Sequence, residues 1–394
     1  MRILFASAGN FGHVYPLLPL AKAARAAGHE VAFATGEQLH PALRAAGLEP
    51  VAAGRSVPEA FMEAVRGSAG LEHGEGDGDL GAQDVPPEVL ADLHVKVFGS
   101  VLPRWVAADL APVLAGGGFD LVVYEALNPG AAFAAHLAGV PAVAHGVGVM
   151  AMGPEEARIQ EELLATAADL GVHVPGGQLL ALARTYIDIC PPSLQDRGFL
   201  AAPLPRVEQR PVAYGEPGEL PAAIRDADGP FVYLTLGTAL GSVDVLRTVI
   251  EGLLPLEVPV LVATGPVVDV ADLGELPERV VVAAWVAQPE ALKRAALVVQ
   301  HGGAGTTLAT LAAGLPQLIL PQGADGPANA AAVRDAGAGE VVYAADLTAG
   351  AVTAQARRIL GDETYRDAAR KVATEIASMP APTETATRLP QFTA

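Results

Sequence analysis

Val298 to Ala330 reads VVQHGGAGTTLATLAAGLPQLILPQGADGPANA. An apolar run ends at His301. Gly302, Gly303 and Gly305 then leave room for a ligand to approach the backbone. Thr306 and Thr307 open an alanine-rich helix. The free N–H groups and positive dipole end of such a helix form an anion site, most simply a phosphate site. The turn contains no Lys or Arg, so backbone donors, the Thr hydroxyls and the His301 ring would hold the anion. That suits a ligand that must leave as a charged product. The spacing is neither the Gly-Lys-Ser/Thr phosphate loop nor the G-x-G-x-x-G dinucleotide pattern. A tight turn with a structural histidine would show the same glycines. Asp325 follows the next apolar run and would share the crevice with His301. A carboxylate there suits hydroxyls, sugar hydroxyls above all, and Asn329 can add a hydrogen bond. Upstream, Trp285 follows another apolar run. It can stack on a base or lie in a core.

A second informative stretch lies near the start, SAGNFGHVYPLLPLA. It puts His13 at the turn between a short apolar strand and a helix, a place usually given to a small residue. Both stretches sit in the same rhythm. RILFAS, EVAFAT, DLVVYE and PAVAHG read as buried strands, separated by helices expected over 13–27, 40–46 and 130–137. The rhythm breaks from Cys190 to Pro230, where prolines are frequent and periodicity is lost. It then restarts with PFVYLTLGT, PVLVAT, RVVVAAW, ALVVQH and PQLILP. Helices are expected through 243–254, after Pro289, from Thr306 and through Asn329. Alternating strands and helices imply parallel sheets covered on both faces. The two halves read as two αβα domains in tandem, and a faint echo between their glycine-rich strand–helix turns agrees. The segment from Gly67 to Pro87 is rich in Gly and acidic residues and reads as a mobile loop beside a pocket, or as a solvated insertion.

The 394 residues suffice for two or three domains. A formal charge of −19 argues against binding nucleic acid or docking on anionic membranes. The single cysteine, Cys190, excludes a disulfide within the chain and suits a reducing cytoplasm. It reads as a small buried hydrophobe. The apolar stretch from Leu127 to Met152 is interrupted by Asn128, Pro129, His136, Pro141 and His145. It reads as helix, turn and strand rather than a membrane span. A soluble, cytoplasmic protein is expected.

WVAQPEAL, the stretch from His301 to Ala330 and the amino-terminal GHVYPLLPLAKAARAAGHEV together resemble the family 1 inverting glycosyltransferases. Within them the chain is similar to the bacterial natural-product enzymes. The resemblance implies the GT-B fold: two Rossmann-like αβα domains facing across a cleft. It implies an acceptor domain over 1–205, a linker over 206–228, a nucleotide-sugar domain over 229–378, and a segment over 379–394 that packs back on the first domain. Trp285 would stack on the nucleobase, the Val286 backbone would read its edge, and Gln288 would meet the ribose. His301, Gly303, Ala304, Gly305 and Thr306 would hold the diphosphate. Asp325 and Asn329 would face the sugar, and Gly237 and Thr238 would touch phosphate or sugar from the cleft side.

In that frame His13 becomes a general base facing the donor, since a free imidazole titrates at about 6.5. Glu125 ends the strand where relatives often carry an Asp that orients this base. Asn10, Phe11, Gly12 and His145 would line the acceptor side, as would loops between about Val51 and Asp109; His136 reads as structural. Two departures stand out: Ala287 where relatives often have Pro, and Gly326 where users of common hexoses often have Gln. The second suits a deoxysugar. The reaction expected is transfer of a sugar, from dTDP in preference to UDP, to a hydroxyl of a hydrophobic natural product such as a polyketide antibiotic. The nucleotide sugar is a co-substrate, and neither cofactor nor metal is expected. A non-catalytic auxiliary subunit and a nucleotide-sugar epimerase remain the rival readings, and a homodimer remains open.

Overall fold

Seven short strands, the central ones apolar on both faces, build the first sheet. They are β1 (Arg2–Ala6), β2 (Glu30–Thr35), β3 (Glu49–Ala52), β4 (Leu121–Glu125), β5 (Ala142–His145), β6 (Tyr186–Asp188) and β7 (Arg206–Glu208). This computed structural model describes residues 1–67, 87–150, 153–215, 218–227, 229–238, 241–323 and 325–393. The strand order is β3-β2-β1-β4-β5-β6-β7, and every pairing is parallel. Ile3 and Phe5 point into one buried cluster, and Leu4 and Ala6 into another. That is the two-faced burial a parallel sheet requires.

The second sheet holds β8 (Phe231–Thr235), β9 (Val260–Ala263), β10 (Val280–Ala283), β11 (Ala295–Gln300), β12 (Gln317–Ile319) and β13 (Gly339–Val341). Its order is β10-β9-β8-β11-β12-β13, again all parallel. Each sheet therefore reverses its winding beside its first strand, between β1 and β4 and between β8 and β11. Such reversals open crevices at the carboxyl ends of the strands, where ligands bind. His13 follows β1 and Glu125 ends β4. Gly237 follows β8 and His301 follows β11. The topology thus puts each set of candidate residues at a reversal.

Local differences from the sequence expectations have physical causes. The helix expected over 13–27 is two helices, Phe11–Val14 and Leu18–Ala26, parted by a turn at 15–17. Pro16 and Pro19 cannot donate the bonds that would join them. The first sheet runs on to Glu208, into the segment expected as linker. Between Val51 and Asp109 the expected loops are largely helical, over Val57–Gly67, Pro87–Lys96 and Leu102–Ala115, with a π-turn at Val97–Val101. Most of the Gly67–Pro87 loop lies outside the described residues. The stretch from Leu127 to Met152 contains the helix Pro129–Leu137 and β5. Among the described residues, one helical run, Val89–Ala115, is long and apolar enough to cross a membrane. It sets Val106, Leu110 and Leu114 into the first-domain core.

Apolar contacts also join the halves. Ile189, Cys190 and Leu194 share a cluster with Leu308, Ile319, Val333 and Ile376. The terminal helix Pro382–Arg388 returns to the first domain, where Ala386 and Leu389 pack with Ile3, Phe5 and Leu18.

Candidate active site

The turn after β1 is built by Asn10, which caps the helix Phe11–Val14 by accepting the His13 N–H at 3.1 Å. This short helix holds the half-buried His13 ring over the end of β4. There Nδ1 lies 2.5 Å from Glu125 Oε1. Glu125 is fully buried, and its other oxygen accepts the Ala8 N–H at 3.1 Å. With both carboxylate oxygens engaged, Glu125 is fixed in place. The carboxylate accepts from Nδ1–H, which leaves Nε2 as the lone-pair nitrogen of the ring. Burial lowers the His13 pKa, but the Glu125 charge, its hydrogen bond and the Asp325 charge outweigh it. The net shift is upward, so His13 is a stronger base than a free imidazole. The Asp325 charge, from the second domain, thus acts on the His13 ring.

On the opposite side, His301 follows β11. Burial holds its pKa below 6.5, with Asp325 opposing. The ring lies between two glycines. A Cβ on Gly237 would come within 2.5 Å of His301 Cε1, and one on Gly303 within 2.5 Å of Nε2. The turn then passes Gly302, at φ +95°, whose backbone packs on Gly326. A Cβ on Gly302 would lie 2.7 Å from the Gly326 Cα. Gly326 is therefore part of the turn's packing.

The helix Ala304–Ala312 starts here. Asp325 Oδ2 accepts the Ala304 N–H at 2.9 Å and the Asn329 amide at 2.8 Å. Ala304, expected to donate to a diphosphate, already donates to this carboxylate. The first-turn N–H groups of Gly305 and Thr306 have no intrahelical partner. Asn329, expected at the sugar, is 1% exposed and also donates to the Gly302 carbonyl at 2.8 Å. It acts as a strut between the turn and Asp325. Thr307 is buried and accepts from Gln300, so of the two threonines only Thr306 is partly open.

Trp285 is 41% exposed on the loop after β10, while Val286 is buried. Gln288 begins the helix Gln288–Leu292, and its Nε2 is buried without a protein partner, as is His301 Nδ1. Buried polar groups without partners are costly, about 1–3 kcal/mol each, and are a feature of ligand sites. Thr238 is half-buried beside Gly237, whose N–H donates to Thr235 at 3.2 Å.

One expectation changes on the acceptor side. His145 is fully buried, with Nδ1 at 2.7 Å from the Gly146 carbonyl and Nε2 at 3.2 Å from Gln209. Burial drives its pKa down to about 4. It supports the sheet and presents no face to an acceptor. Phe11 sets its ring against Trp285, centroids 6.0 Å apart. Asn10 and Gly12 flank it in the capped turn. The sequence reading missed Gln300, which accepts the Gly302 N–H at 2.6 Å and donates to Thr307 and Gln317. Its signal was visible: two glutamines, Gln300 and Gln317, in otherwise apolar strands.

The chain matches two family descriptions, Erythromycin biosynthesis protein CIII-like N-terminal domain over residues 22–237 and the C-terminal domain of the same name over 252–392. It is 34% identical to the elloramycin glycosyltransferase of Streptomyces olivaceus, covering 99% of this chain and 97% of that protein. It is 32% identical to the L-demethylnoviosyl transferase of Streptomyces niveus, covering 97% and 96%. Among solved structures, a Streptomyces sp. SF2575 glycosyltransferase complexed with thymidine diphosphate superposes with a TM-score of 0.77 at 28% identity, covering 99% of each chain.

Proposed function

Because this chain belongs to the erythromycin biosynthesis protein CIII-like glycosyltransferases of GT-B fold, we propose that it is an inverting, natural-product glycosyltransferase that draws on a dTDP-deoxysugar. The observation that carries the reading is the His13–Glu125 pair facing Asp325 beside the anion-binding turn. The first domain takes the acceptor and the second the donor. His13 Nε2 takes the proton of the acceptor hydroxyl. The oxygen attacks the anomeric carbon from the face opposite the diphosphate, and the anomeric C–O bond breaks. Its electron pair leaves with the diphosphate, and configuration inverts. Glu125 holds the base in its reactive tautomer and stabilises the imidazolium that forms. The N–H groups of Gly305 and Thr306 and the His301 ring receive the departing charge. Trp285 stacks on the base and Gln288 meets the ribose.

The thymidine diphosphate in the similar structure supports dTDP over UDP. The deoxysugar follows from a sugar side poor in hydrogen-bonding groups. Gly326 has no side chain, Asn329 is committed to the turn, and one Asp325 oxygen is taken. The acceptor is a hydroxyl-bearing hydrophobic small molecule, and the enzyme works in solution in the cytoplasm. Calorimetric titration of dTDP and UDP into wild type and His301→Ala tests the donor site. Binding of dTDP in preference to UDP, weakened at least tenfold in the variant, is expected (about 1.4 kcal/mol or more). No binding of either nucleotide would overturn the reading. A glycosylated product, rather than an isomerised nucleotide sugar, separates transfer from epimerisation.

A further inference from the structure

We propose that Phe11 is a positioning residue: its contact with Trp285 sets the His13 turn in register with the donor domain. The inference rests on the functional reading above and goes beyond it. Phe11 and His13 share one four-residue helix, Phe11–Val14. Any force on the Phe11 ring is therefore delivered to the catalytic imidazole two residues away. The ring makes two aromatic contacts. One crosses to Trp285 of the second domain at 6.0 Å, and the other runs to Tyr15 at 5.2 Å. Tyr15 continues to Tyr214 at 5.1 Å, in the segment that joins the domains. The next residue, Gly215, packs on Pro289: a Cβ there would lie 3.2 Å from the proline ring. Pro289 stands four places after Trp285. The aromatic chain thus leaves the donor domain at Trp285, passes through the His13 turn, and returns at the joining segment.

Tilted aromatic pairs at these separations are favourable beyond the area they bury. That biases a turn of four residues toward one setting. Catalysis is sensitive to this setting, because a misplacement of about 1 Å can cost about 100-fold in rate. Nucleotide affinity is less sensitive, since the proposed diphosphate contacts lie on the second domain and Phe11 reaches only the Trp285 ring among the proposed donor groups. Phe11 is thus expected to govern turnover more than binding.

Trp105 and Trp285 are the only tryptophans. A Trp105→Phe parent makes Trp285 the sole reporter. In that parent, Phe11→Ala is expected to red-shift Trp285 emission without nucleotide, as the indole loses its neighbour. The kcat for transfer should fall about 10–100-fold, with the dTDP Kd, read from Trp285 quenching, within about threefold of the parent. Phe11→Tyr should recover most of kcat. Phe11→Leu keeps apolar volume without the ring and gives the same result where Ala compromises folding, which circular dichroism checks. An unshifted emission would overturn the contact itself. An unchanged kcat, or a Kd that rises by the same factor as kcat falls, would overturn the positioning role. Failure of the parent to bind dTDP would strike the donor reading, while the emission shift still reports on Phe11.

Discussion

The Nδ1 side of His13 belongs to Glu125, and this decides what a change at Glu125 does. The pair raises the His13 pKa, so in the proposed mechanism the base is protonated and idle at low pH and active above that raised value. Activity rises with pH through it. Glu125→Gln keeps the shape but removes the charge, leaving burial, the largest single influence, opposed only by the weaker Asp325 charge. The acid limb of kcat/KM should move to lower pH, and kcat near pH 7.5 should fall roughly 100-fold or more, because the imidazolium loses its partner. A limb that stays in place would remove Glu125 from the mechanism. The stability sign follows the same shift. A histidine with a raised folded pKa stabilises the protein fully below its unfolded value, about 6.5. That contribution is lost as pH rises through the folded value. Glu125→Gln should therefore cost more stability in acid than in alkali, as denaturant melts at two pH values would read.

Between β11 and the helix Ala304–Ala312, the turn depends on close backbone approach. Gly302 has a φ that favours glycine, and Gly326 blocks the space where a side chain would go. Gly302→Ala is expected to lower folding stability by about 1–3 kcal/mol through strain and overpacking. The displaced turn should also weaken dTDP binding in calorimetry. A melt and a Kd that both match wild type would show that the turn tolerates the methyl group. The capping of Ala304 by Asp325 belongs to this scale as well. A single carboxylate caps the donor helix, is steadied by Asn329 and acts electrostatically on His13.

Across the whole molecule, the two domains meet where the loop after β5 touches the donor helix. A Cβ on Gly148 would lie 2.5 Å from the Ala304 Cβ. Met150 anchors that loop through Gln195, which is itself held by the buried Asp188. Gly148→Val should force the domains apart. Donor KM should rise and kcat fall, with a larger radius of gyration in small-angle scattering; unchanged kinetics and radius would mean the interface adapts. The strand–helix rhythm, the two-domain plan and the glycine-rich turn before a helix were all legible in the chain. They depend on local periodicity and on residue types such as glycine, whose meaning is intrinsic to the backbone. The same reading expected His145 at the acceptor and Asn329 at the sugar. It could not tell these from His13 or Trp285, because a polar or aromatic residue at a strand end looks alike whether it faces ligand or protein. Burial, pairing and the approach of one domain to another arise only from long-range packing. The sequence by itself determined which side chains gather at the ends of two parallel sheets. Only the tertiary structure decided which of them are already bonded to the protein and which are left for a substrate.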